Sequence, residues 1–269
     1  MRRSSIFWGA LIILVGVLLL LSNLGVLAVD IWNLIWPVAL IAVGLWLLLG
    51  IFFGREQGGG ALEEVTIPLE DAGEARVRVR HGAGVLRIDA GADPQAVLSG
   101  TFAGGLDYRA NRLDDAINVE MQVPQQGIWF FAPWQWWRGG GLAWSFGLNP
   151  EIPLALRLET GAGEANIDLT ELRVTDLRLQ TGASSTRLAL PAQAGHTQAR
   201  IEGGAASISV RVPTGVAARI KTSGGLASFS VDRNRFPRQG GVYQSPDYET
   251  AENTIDLQVE IGAGSVSVT

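Results

Sequence analysis

The chain opens with two long apolar stretches that contain no charged residue. The first lies between Arg3 and Asp30, and the second lies between Asp30 and Arg55. About 20 apolar residues in a helix are enough to cross a bilayer core of about 30 Å. The stretches therefore predict two membrane-spanning helices, at about 5–23 and 31–53. Because only a few residues join them, the helices must run antiparallel.

We assign residues 1–56 to this transmembrane hairpin. Gly9 and Gly16 lie seven residues apart, on one face of the first helix, where small residues allow two helices to pack closely. An alternative is that the first stretch is a cleaved signal peptide, since two arginines precede it and Val26–Ala28 resembles a cleavage sequence. The second apolar stretch, which follows at once, favours the hairpin.

The charges around the hairpin predict its orientation. Arg2, Arg3 and Arg55 lie outside its two ends, whereas the connecting loop contains no lysine or arginine. Positive residues are retained on the cytoplasmic side of a membrane. We therefore expect both termini, and the domain that follows, on the cytoplasmic side of a bacterial cytoplasmic membrane.

After a glycine-rich linker at residues 57–60, the pattern changes to an alternation of apolar and polar residues over 61–269. This alternation is broken at regular intervals by corners of small residues. The corner glycines Gly161, Gly182 and Gly203 follow one another at a spacing of 21. A fixed period of this size is typical of stacked repeats.

Alternation within each repeat predicts strands with one buried face and one wet face. Ile167, Leu188 and Ile208 occupy equivalent positions and are predicted to face the core, whereas their neighbours Asn166 and Arg187 should face solvent. We expect an all-β stacked-repeat domain, β-solenoid-like, with hydrogen bonds running between the repeats. An antiparallel β-sandwich is the alternative, because hairpins with glycine turns give a similar local pattern.

Two insertions interrupt the repeats, at 127–150 and 232–253. The first is rich in tryptophan: five of the nine tryptophans lie in it and the other four lie in the hairpin. The loop can contact the membrane interface, bind a partner, or fold back and cap an open end of the stack. The candidate contact residues are Trp129, Phe130, Phe131, Trp134, Trp136, Trp137 and Trp144.

Composition excludes several kinds of chemistry. The net charge of −5, without clusters of lysine or arginine, argues against binding of nucleic acid. There is no cysteine, and of the two histidines His81 falls at a repeat corner. No catalytic or phosphate-binding motif occurs. Asp89 and Asp168 occupy equivalent repeat positions, which favours structural roles. We expect no enzyme activity, no cofactor and no metal site.

The hairpin sequences FWGALIILVGVLLLLSNLGVL and IWNLIWPVALIAVGLWLLL resemble the LiaI/LiaF-type transmembrane region of bacterial envelope-stress proteins. The units TGAGxxxID and GGAASISV are similar to the β-repeats of toast-rack or adhesin-type domains. This resemblance implies a role near two-component systems that sense envelope damage, in which LiaF inhibits a membrane histidine kinase.

Together these features predict a membrane-anchored, non-enzymatic regulatory or interaction protein in cell-envelope stress sensing or signalling. The expected partners are the lipid bilayer and a membrane histidine kinase or another envelope protein. Open β-stack ends also allow self-association. The alternative function is that of an exported β-solenoid that binds or cleaves cell-surface polysaccharide. Membrane topology separates the two, because a cytoplasmic domain cannot meet the cell wall.

Overall fold

The predicted alternation builds strands throughout the described part of the molecule. The computed structural model of the chain describes residues 62–124 and 142–269. The strands in these ranges are β1 (Leu62–Pro68), β2 (Glu74–Asp89), β3 (Ala96–Ala103), β4 (Asp107–Leu113), β5 (Ala116–Gln122), β6 (Leu142–Leu148), β7 (Pro153–Asp168), β8 (Arg173–Ala189), β9 (His196–Arg211), β10 (Ala217–Val231), β11 (Arg238–Gln239), β12 (Val242–Gln244) and β13 (Thr254–Val268).

The membrane-spanning part of the prediction falls elsewhere in the chain. Both predicted spanning helices, with Gly9 and Gly16, lie outside the described ranges. Within those ranges, no helix has the length and apolar character that crossing a membrane requires.

Each repeat forms one long strand that bends at its small corner. In β7, the inward side chains are Leu154, Leu156 and Leu158 before the corner, which we call the first arm, and Ala165 and Ile167 after it, the second arm. The next strand, β8, runs parallel to β7 although only a four-residue turn joins them. Each strand must therefore double back at its corner, so that it ends on the same side of the domain as it began. The inward faces of the two arms meet across the core.

Small residues are required at the corners because the backbones of successive strands approach closely. A Cβ atom on Gly182 would lie 2.5 Å from the carbonyl oxygen of Gly161, and one on Gly161 would lie 2.5 Å from that of Gly82. Gly163 has a φ of 129°, a conformation that side chains other than glycine rarely adopt. The corner glycines thus serve both the bend and the stacking.

The bent strands pair in parallel and in register. Their order is β2–β7–β8–β9–β13–β10, and the pairing confirms that hydrogen bonds run between repeats. Ile167, Leu188 and Ile208 are all buried, while Asn166 and Arg187 are exposed, as the alternation predicts. The antiparallel sandwich is therefore wrong for the repeats. Antiparallel pairs occur beside the stack, in β1–β3, β3–β6 and β4–β5.

Among the six bent strands, the order in space departs from the order in sequence at one place. The last strand, β13, lies between β9 and β10, with Ile261 in register with Gly203 on one side and Gly224 on the other. Strands β9 and β10 are consecutive along the chain yet do not pair. Residues 232–253 supply the return path that brings β13 into the slot.

Both predicted insertions contain strands. Residues 142–148 of the tryptophan-rich insertion form β6, which pairs with the second arm of β2 and with β3. The reason is a period-two alternation in which Trp144, Phe146 and Leu148 are buried. The insertion at 232–253 contains the short strands β11 and β12, and its Phe236 is fully buried.

Candidate interaction surface

The outward face of the first arms is organised into rows of polar side chains. Because the strands are parallel and in register, equivalent residues repeat at intervals of about 4.8 Å across the stack. One row is almost entirely cationic, and we call it the arginine row. It consists of Arg78, Arg157, Arg178, Arg200, Gln258 and Lys221, in spatial order.

A second row lies two residues closer to the corner. We call it the glutamate row, and it consists of Arg80, Glu159, Gln180, Glu202, Glu260 and Ser223. A groove of about 1120 Å³ runs between this row and the corner glycines. The arginine row borders a second cavity of about 570 Å³. The two rows together form a surface that we call the striped face.

Ion pairs between the rows hold the side chains in place. At one end of the striped face, the Glu159 carboxylate forms ion pairs with three guanidinium groups: Arg78 at 2.7 Å, Arg80 at 3.5 Å and Arg157 at 3.8 Å. Like charges that face each other directly on neighbouring strands repel one another. A glutamate placed between them reduces that repulsion, which explains why Arg78 and Arg157 can be adjacent.

The same arrangement recurs further along the stack. Arg200 donates to Glu202 at 2.6 Å, Gln180 donates to Glu202 at 3.0 Å, and Arg200 approaches Glu260 at 3.8 Å. The hydrogen bonds from Arg200 and Gln180 lower the pKa of the Glu202 carboxyl group. This carboxylate is therefore fixed in its charged form at neutral pH.

The chemistry of the striped face is that of recognition by charge. Within residues 62–124 and 142–269, no phenylalanine, tyrosine or tryptophan lines its two cavities. The same ranges contain no cluster of three or more histidine and carboxylate side chains that could hold a metal ion. Sites for small apolar ligands are lined mainly by hydrophobic and aromatic groups. The face instead offers a row of positive charge beside a row that contains three glutamates.

His81, which the sequence places at a corner, points into the core. It is only 4% exposed, and its ring lies 5.2 Å from that of Trp144, measured between centroids. One ring nitrogen bonds the backbone of Leu142, while Nε2 has no hydrogen-bond partner among the described residues. Burial lowers the pKa of the imidazole. His81 is thus a neutral core residue at neutral pH.

Asp168 has a local structural role, as its repeat position predicts. Its carboxylate accepts hydrogen bonds from the hydroxyl and the backbone N–H of Thr170, in the turn that joins β7 to β8. These hydrogen bonds lower the pKa of the carboxyl group, and Arg211 at 3.7 Å contributes to the shift.

The aromatic contact residues predicted from sequence divide into two groups. Trp129, Phe130, Phe131, Trp134, Trp136 and Trp137 lie outside the described residues. Trp144 is described, and for it the prediction of a membrane or partner contact is wrong. It is 1% exposed and packs edge-on against Phe102 with ring centroids 5.4 Å apart. Its position on the inward side of β6 places it in the core.

Sequence reasoning missed the striped face, although a signal for it was present. Arg157, Arg178 and Arg200 each precede an inward aliphatic residue, at spacings of 21 and 22. The pattern marks these positions as solvent-facing, which is correct. Only parallel, in-register pairing shows that they form a continuous row.

Comparison with known families agrees with this architecture. Residues 57–211 match the family described as N-terminal domain of toast_rack, DUF2154, and this match covers more than half of the chain. The chain belongs to the toast-rack family. The matched segment ends with β9, so β10 to β13 lie beyond it. Residues 6–48 match the LiaI-LiaF-like transmembrane region. This toast-rack chain is therefore a membrane-anchored, envelope-associated protein.

A solved structure supports the fold of the toast-rack domain. A crystal structure of a candidate cell adhesion protein from Clostridium sporogenes is 20% identical, with a TM-score of 0.68 over 77% of this chain and 97% of that chain. Candidate adhesins from Bacteroides fragilis and Parabacteroides merdae are 7% and 11% identical over 77% and 79% of this chain and 96% and 98% of theirs, with TM-scores of 0.29 and 0.20. The comparison with curated proteins finds no match.

Proposed function

We propose that this toast-rack protein is a non-enzymatic regulatory or interaction protein in cell-envelope stress signalling, and that the striped face is its recognition surface. The observation that carries the proposal is a cationic row beside a row with three glutamates, both running across six parallel strands. Complementary stripes on a partner would fix both the orientation and the register of a complex. We propose that the partner is itself a protein, because a folded chain can hold complementary charges at fixed positions.

The state of the carboxylates supports a binding role over catalysis. A general acid needs a raised pKa near the working pH, whereas hydrogen bonds lower the pKa of Glu202. Glu159 contacts three guanidinium groups. Charged groups placed in this way can attract complementary charges on a partner.

The arginines that flank the hairpin favour a cytoplasmic location for the β-domain. A domain held there by a short linker can reach the cytoplasmic parts of neighbouring membrane proteins. We propose that its partner is a membrane histidine kinase or another envelope protein. An exported protein that binds wall polysaccharide would need the opposite topology.

Charge reversal on the two arms of one strand tests the recognition surface. Arg178 lies in the arginine row, whereas Arg187 is an exposed residue on the second arm of the same strand, β8. We expect Arg178→Glu, combined with Arg200→Glu, to abolish control of an envelope-stress reporter gene in cells that express the full chain. Arg187→Glu should leave control intact. Equal effects of the two changes, at equal protein levels, would contradict the proposal.

Reporter fusions test the topology independently. Fusions after Glu56 and after Thr269 should both report the cytoplasm. Alkaline phosphatase activity from either fusion would contradict the cytoplasmic location and favour the exported, polysaccharide-binding function.

A further inference from the structure

One edge of the stack is left without a pairing strand in the described part of the chain. The first arm of β10 pairs with β12 through Arg219 and Ile220. The second arm of β10, residues 226–231, pairs with β13 on one side only. Its other side therefore presents free backbone N–H and C=O groups, which can template a further strand.

The core is also open at this edge. The inward residues of the arm, Ala227, Phe229 and Val231, are all partly exposed. Their neighbours in the next strand are sealed: Val266, opposite Phe229, is 2% exposed, and Val268, opposite Val231, is fully buried. A strand added to this edge would complete the burial of Phe229.

The edge lacks the features that usually prevent strand addition. No ionisable residue and no proline lies between Lys221 and Asp232. Leu226, at the start of the arm, is 85% exposed. Natural edge strands are normally protected by charges, prolines, bulges or a covering segment. An uncharged edge of this length is suited to pairing.

We propose that this edge pairs with the same edge of a second copy of the chain, antiparallel and around a two-fold axis. Such an axis stands perpendicular to the sheet, so inward residues face inward residues across the new pair. With Ser228 on the axis, Phe229 of each copy lies opposite Ala227 of the other. The large ring of each strand then meets a small side chain, and both open cores are covered.

Charge favours the antiparallel arrangement. It places Asp232 of each copy opposite Gly224 of the other, whereas a parallel pair would set two Asp232 carboxylates side by side. The uncharged arm between them introduces no repulsion. The transmembrane region confines both copies to one membrane, which raises their effective concentration and supports a contact of modest area.

Disulfide trapping in the full-length, membrane-embedded protein tests this pairing. The chain contains no cysteine, so Ser228→Cys introduces a single thiol. Residues opposite each other in an antiparallel pair have Cα atoms about 4.5–5.5 Å apart, which a disulfide can span. Ser207→Cys is the matched control, because Ser207 lies in the same outward row, inside the stack. We expect Ser228→Cys to form crosslinked dimer at least about tenfold faster than the control.

The oligomeric state gives a second measurement. Ser228→Lys would place two ammonium groups opposite each other on the axis, so we expect the detergent-solubilised full chain to become monomeric. The control Ser207→Lys should remain a dimer by light scattering. Crosslinking of Ser228→Cys no faster than of Ser207→Cys would overturn the proposal. Persistence of the dimer in Ser228→Lys would assign dimerisation to another surface and overturn it equally.

Discussion

The two ends of the strand stack are finished differently. Beyond β2, the first arms continue into β5 and β4, while the second arms continue into β6, β3 and β1. Both layers of the core are thus extended and covered at that end. Beyond β10, the first arm is followed by β12 and β11, but the second arm has no further strand within the described ranges.

The difference lies in the side chains that complete the core. At the covered end, Trp144 and Phe102 are buried between the layers and contact each other. At the open end, Phe229 is an inward residue of the last strand on this side and is partly exposed. The last repeat of a stack has no neighbour to cover its core and its backbone groups. An additional segment is therefore needed to cover each end. Among the residues that the structure describes, three of the four terminal arms are covered by further strands.

The largest expected effect on stability comes from removing an aromatic ring, and it should differ between the two ends. Trp144→Ala removes a ring from a closed core, so we expect a loss of about 3–5 kcal/mol in the free energy of unfolding. Phe229→Ala should cost only about 1–2 kcal/mol, because solvent can fill the space at an open edge. Denaturant unfolding of the full chain in detergent, followed by circular dichroism, measures both. Both variants are made in the Ser228→Lys protein, in which we expect the edge to stay unpaired. Similar losses would mean that the two ends are equally closed.

A smaller effect is expected from a corner in the middle of the stack. Gly182→Ala would place a Cβ atom 2.5 Å from the carbonyl oxygen of Gly161, and we expect a loss of about 1–3 kcal/mol from overpacking. Gly241→Ala, in the covering segment beyond β10, meets no atom within 4 Å. Its effect should stay within about 0.5 kcal/mol. Thermal unfolding of both variants checks the comparison, and tolerance of Gly182→Ala would show that neighbouring strands can separate at the corner.

The smallest effect concerns pH at the covered end. Burial lowers the pKa of His81 below its ordinary value of 6.5. The unfolded chain therefore binds a proton before the folded chain does, and the contribution of His81 to stability is complete above pH 6.5 and declines as the pH falls below it. We expect His81→Leu to reduce the loss of stability between neutral and mildly acidic pH. Parallel curves for the two proteins would show that His81 does not titrate differently on folding.

Local pattern was sufficient to predict the elements and their buried faces. The alternation of Leu and Ile with polar residues requires strands, because only a period of two places every second side chain on one face. The period of 21 residues predicted stacked repeats, and the close approach at Gly182 supplies the reason for small corners. The charge-free stretches before residue 56 predicted the membrane region that the LiaI-LiaF-like family match supports.

The choice of neighbours was decided only by the tertiary structure. Nothing local to β13 shows that it lies between β9 and β10, since its pattern fits any slot in the stack. Trp144 resembles the loop tryptophans in sequence, yet pairing of β6 with β2 and β3 turns it into the core. The arginine row and the free edge at Phe229 likewise arise from register between distant segments. Hydrogen bonds between strands join residues far apart in sequence, so alternation determines which face is buried, and packing determines what lies beside it.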